Sequence, residues 1–68
     1  MHKIIKARFI NKYWLNIVQI DNGFALVNTH RGRKMSDRDG IEKVIEYFNT
    51  REEAENRLKE YEKGKYTI

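Results

Sequence analysis

The chain contains no cysteine and no proline, and no apolar run long enough to cross a bilayer. Without thiols there is no disulfide staple and no thiolate metal site, and such usage fits a reducing cytosol. Without proline there is no rigid linker, and neither an internal repeat nor a low-complexity segment divides the sequence. The apolar part of Met1-His2-Lys3-Ile4-Ile5-Lys6 is too short for a signal peptide, so the expectation is a soluble, cytoplasmic domain with no membrane partner. The two histidines, His2 and His30, stand far apart without ligand spacing, which argues against zinc. Asp37 and Asp39 with Glu46 lack the third, regularly spaced carboxylate or the catalytic lysine of a divalent-metal nuclease. There is no Ser-His-Asp or Cys-His arrangement, and no glycine-rich loop precedes a helix. A small sheet with one helix seldom provides a concave pocket. The expectation is therefore a protein that is not an enzyme, with no metal and no cofactor.

Acidic side chains are scarce in the first half. Residues 1–34 hold seven lysines and arginines against Asp21 alone, a net +6, whereas residues 35–68 hold seven cations and nine carboxylates, a net −2. The overall +4 thus hides a basic front half, which points to a polyanion or an acidic partner. At 68 residues with 40% apolar content, the chain reads as one domain, 1–68, near the lower size limit for an unstapled core.

What is present is β-forming. Ile4 to Ile10 alternates, with Ile5, Ala7 and Phe9 on one side and Lys6 and Arg8 on the other, as a half-buried strand does. Tyr13 to Ile20 is aromatic and β-branched on both faces, which predicts a central strand covered on both sides. Asp21-Asn22-Gly23 supplies the left-handed conformations of a tight hairpin, and Phe24 to Thr29 returns antiparallel. Residues 30–40 contain one apolar side chain, Met35, and read as loop. Ile41 to Phe48 reads as a fourth strand. Thr50-Arg51-Glu52-Glu53 is a Thr-x-x-Glu capping box, so a helix starts at Arg51. Ala54, Leu58 and Tyr61 form its apolar stripe, Glu53 with Arg57 and Glu55 with Lys59 are spaced to pair, and Gly64 is a natural end. The predicted fold is α+β: a small antiparallel sheet in the order β-β-β-loop-β-α, with one C-terminal helix across it.

Thr29-His30-Arg31-Gly32-Arg33-Lys34 opens the loop. Glycine between two arginines lets the backbone turn or approach another surface closely. The two guanidinium groups form a compact donor cluster suited to phosphate or carboxylate. Arg31, Arg33, Lys34 and Arg38, with Lys12 and Arg8 as neighbours, are the candidate nucleic-acid-binding residues. A solvated loop partly neutralised by Asp37 and Asp39 is the plainer reading. Trp14 reads first as core, together with Tyr13, Tyr47, Phe24 and Phe48, and second as a stacking platform of the kind single-strand binders use.

Asn11-Lys12-Tyr13-Trp14, the Gly-bearing turn, Phe24-Ala25-Leu26-Val27, His30-Arg31-Gly32-Arg33, Tyr47-Phe48-Asn49-Thr50-Arg51-Glu52-Glu53-Ala54, Leu58 and Lys63 together resemble the WGR domain of poly(ADP-ribose) polymerases and of small bacterial proteins. The resemblance spans about Asn11 to Lys65. Arg31 replaces the family's tryptophan, and no glycine follows at Lys34 or Met35. The resemblance implies DNA binding near a strand break, with Arg31 where the tryptophan packs on a terminal sugar and Arg33 where the family arginine holds phosphate. A guanidinium plane stacks on a base or sugar and still binds phosphate, so the replacement converts an end-recognising contact into a backbone grip, or marks its loss.

The leading expectation is a nucleic-acid-binding module, for DNA in preference to RNA, acting as a monomer or weak homodimer. The alternative is a protein-interaction or inhibitor module of phage or mobile-element type, docking on an acidic surface of a host protein. A further alternative is self-association through the edge strand Ile4 to Ile10.

Overall fold

The computed structural model describes residues 2–29, 35–36 and 43–66. Strands β1 (Lys3–Ile10), β2 (Tyr13–Ile20), β3 (Gly23–Thr29) and β4 (Val44–Phe48) form one antiparallel sheet in chain order, followed by helix α1 (Arg51–Glu62). This is the expected α+β arrangement. Among the described residues no helix is long and apolar enough to cross a membrane.

Strand β2 is central, and Leu15, Asn16, Ile17 and Val18 are buried in succession because both faces of the sheet are covered there. On one face Leu15, Ile17, Leu26 and Phe48 meet Ala54, Leu58 and Tyr61 of α1. On the other, Val18, Ala25 and Val27 lie with Met35, flanked by Ile4, Ile20 and Val44. Met35, an apolar residue of the connection between β3 and β4, is thus buried against this face of the sheet. Full burial of a Leu or Ile side chain stabilises by about 2 kcal/mol, so the helix-side cluster, with the larger side chains, carries most of the fold.

The helix begins and ends as its sequence predicts. The Thr50 hydroxyl accepts from the Glu53 backbone N–H at 3.2 Å, and the Glu53 carboxylate accepts from the Thr50 N–H at 3.1 Å. At the far end Gly64 takes φ +80°, with its N–H donating to the Tyr61 carbonyl and the Lys65 N–H donating to that of Glu60. That pair of bonds is a Schellman closure, which favours a residue without Cβ at Gly64.

Three expectations are corrected. First, the paired left-handed residues lie in the β1–β2 turn, at Asn11 (φ 49°) and Lys12 (φ 72°), while in Asp21-Asn22-Gly23 only Gly23 has positive φ. Gly23 is required for a second reason: a Cβ there would run into the Phe48 carbonyl oxygen of β4. Second, both edge strands are bulged, β1 between Ile4 and Lys6 and β4 between Val44 and Glu46, opposite Leu26 and Val27. Each bulge switches the face that side chains point to. Ile4 thus packs on the Met35 side, Ile5 on the helix side, and Tyr47 stands outside the core at 66% exposure. Third, the helix ion pairs differ. Glu53 is occupied by the cap, so Arg57 turns to Glu46 of β4 and to Glu60, while Glu55 accepts from Arg51 and Lys6 rather than Lys59. The described part of the fourth strand begins at Val44, and Ile41 and Glu42 lie outside the described residues.

Candidate functional site

The strand register sorts the cations by face. Directly opposed residues share a face, so Lys6 opposite Ile17 and Arg8 opposite Leu15 point to the helix side. There Lys6 Nζ lies 3.3 Å from Glu55, and Arg8 Nε lies 3.9 Å from Glu62. Arg51 reaches Glu55 at 2.6 Å and Lys65 reaches Glu60 at 2.8 Å. Arg57 joins Glu46 and Glu60 and lies over the rings of Phe48 and Tyr66, 5.8 and 5.1 Å from their centroids. Hydrogen bonds from Arg51 and Lys6 hold the Glu55 carboxyl below its ordinary range, outweighing partial burial. Lys65 does the same for Glu60, and Glu60 in turn raises the lysine. Five cations of the helix side are thus matched by carboxylates, whereas Lys3 of β1 and Lys59 and Lys63 of the helix and its C-terminus have no ion pair among the described residues.

The other face is different. Phe9 of β1 lies opposite Trp14 of β2, and Trp14 lies opposite Thr29, the last residue of β3. The three form one row at the end of the sheet closed by the Asn11–Lys12 turn. Phe9 is 60% exposed, its ring 5.2 Å from that of the half-buried Trp14 with the planes tilted by 52°. Beneath the row, fully buried Asn16 donates to the Thr29 hydroxyl at 2.7 Å and to the Trp14 carbonyl at 3.2 Å. These bonds fix the strand ends that carry Trp14 and Thr29. Lys12 in the turn and Lys43 before β4, held at φ 53°, are exposed. Neither has an ion pair among the described residues.

Of the sequence-predicted site residues, Lys12 and Trp14 come together at this end. Arg8 does not. It projects on the helix side, where Glu62 and the Ala7 carbonyl, 2.8 Å from its guanidinium, take it up. Arg31, Arg33, Lys34 and Arg38 lie outside the described residues, as do His30, Asp37 and Asp39. By chain connectivity that segment leaves the sheet at Thr29 and returns to it at Lys43. Sequence reading missed Phe9, which alternation assigned to a buried side, and Lys43. The signal for Phe9 was its position two residues from a turn on an edge strand, where one flank has no neighbour to cover it. Among the described residues no cluster of three His, Asp or Glu side chains is placed to hold a metal ion.

No family model, curated protein or solved structure matches the chain.

Proposed function

We propose that the protein is a small nucleic-acid-binding module that grips the phosphate backbone, of DNA in preference to RNA, through Arg31, Arg33, Lys34 and Arg38 together with Lys12. The observation that carries this reading is the partition of charge. On the helix side Lys6, Arg8, Arg51, Arg57 and Lys65 sit beside the protein's own carboxylates, whereas Lys12 and Lys43, like Lys3, Lys59 and Lys63, have no ion pair among the described residues, and those two stand at the sheet end where the basic segment departs. Uncompensated cations beside a chain segment that is itself rich in arginine and lysine attract a polyanion. The resemblance of the sequence to WGR domains supports the same reading. Arg8 is left out of the proposed grip, because engaging phosphate would break its contact with Glu62 on the opposite face.

Binding by phosphate neutralisation releases counterions, so affinity falls steeply with salt. Fluorescence anisotropy with duplex, nicked and single-stranded oligonucleotides at two salt concentrations tests this. Salt-sensitive binding is the expected result, and Arg31→Ala with Arg33→Ala abolishes it while shifting stability by no more than about 0.5 kcal/mol. Absence of binding to every oligonucleotide at low salt rejects the proposal. A partner that survives nuclease treatment in a pull-down would then favour docking on an acidic protein surface.

A further inference from the structure

Resting on that reading, we infer that the Phe9–Trp14 pair is a stacking station for an unpaired base, which makes single-stranded nucleic acid, or the frayed end of a duplex, the preferred ligand. Three observations meet at this point. A phenylalanine on an edge strand is 60% exposed, and an exposed apolar ring is informative where it belongs to a patch instead of standing singly. It does not stand alone, because Trp14 backs its ring at 5.2 Å and the Asn16 bonds to the Trp14 carbonyl and the Thr29 hydroxyl hold the strand beneath. A ring held in this way presents its face with little conformational freedom left to lose on binding.

The third observation is charge complementarity. Lys12 lies between Phe9 and Trp14 in sequence, in the two-residue turn that joins their strands, with no carboxylate partner among the described residues. Thr29, across from Trp14, leads directly into the basic segment. An aromatic face with cations on either side in the chain matches the alternation of base and phosphate along a single strand. It does not suit paired DNA, whose bases are stacked inside the helix and offer no face to a side chain. Tyr47, the other well-exposed ring of this face at 66%, lies three strands across and four residues along from Phe9, about 20 Å away by strand spacing and rise. It belongs to neither the aromatic row nor the cationic end, and it serves as the control.

The experiment compares a labelled single-stranded oligothymidine with a blunt duplex of equal length, using the full chain, Phe9→Ala, Phe9→Tyr and Tyr47→Ala. Emission from Trp14, the only tryptophan in the chain, is followed in parallel. The expected result is that Phe9→Ala weakens single-strand binding about tenfold, within the range for losing one stacked base. Duplex binding changes less than about twofold, and Phe9→Tyr and Tyr47→Ala bind as the parent does. Trp14 emission of the parent is quenched by the single strand and not by the duplex. Equal effects of Phe9→Ala on both ligands, or unchanged Trp14 emission at saturation, overturn the stacking station and leave the phosphate grip standing. No binding of either ligand overturns both. Light scattering in which the parent is a dimer and Phe9→Ala a monomer also overturns it, since the ring would then be a contact between copies of the chain.

Discussion

The two faces of the sheet solve opposite problems with the same strands. On the helix side large apolar residues from three strands meet α1, and five of the surrounding cations are matched by carboxylates. On the other side a smaller cluster is closed by Met35, a buried asparagine ties two strand ends and an aromatic pair is left half open, while Lys12 and Lys43 at that end of the sheet have no ion pair among the described residues. The difference teaches where to look for function in a domain this small. Stability is concentrated on one face, so the other is free to carry exposed rings and unneutralised charge, which contribute little to folding.

The largest expected effect tests the stabilising face. Leu58→Ala leaves a cavity between α1 and the sheet and destabilises by about 3 kcal/mol, read from the urea midpoint. It alters nucleic-acid affinity only as far as it unfolds the protein. Met35→Ala is expected to lower stability less, by about 2 kcal/mol, and to weaken binding beyond that loss, because Met35, buried against the sheet, directly follows Lys34 in the chain. If Leu58→Ala and Met35→Ala were equal in both readouts, the division between the faces would collapse. Lys12→Gly sharpens the comparison. It relieves a left-handed φ at a residue with a Cβ, raising stability by about 1 kcal/mol, while removing one cation of the proposed phosphate grip. A more stable protein that binds more weakly is the expected outcome, measured by thermal melting and anisotropy.

The smallest effect concerns the ion pairs of the helix side. Glu55 and Glu60 have folded pKa values below the ordinary 4.5, so their contribution is fully present above that pH. It is lost as pH falls through the lowered folded values. Urea denaturation from neutral pH down to about pH 3 is expected to show this decline, and Glu55→Gln with Glu60→Gln to flatten it.

Much of this architecture was legible in the residues. The unbroken apolar run of β2 announced a strand covered on both faces, and Thr50 with Glu53 fixed the helix start. What was not legible depends on partners distant in sequence. Ile5 and Ile45 look like members of alternating strands, and only pairing with β2 and β3 reveals the bulges that change their facing. Arg57 has a carboxylate four residues away in Glu53, but the cap claims it first. At the candidate site, Lys12 and Trp14 could be named from composition and spacing. Arg8 was misplaced because alternation says which residues share a side, not which side the helix will cover. Phe9 was missed because exposure at an edge follows from strand order.

The order of the strands has a kinetic consequence. Each strand after the first pairs with the one before it in the chain, an order that favours local zippering, and only the closure between β3 and β4 spans a longer stretch. Such short-range topologies cross low entropic barriers. With no proline in the chain, refolding is expected to show no slow prolyl isomerisation phase.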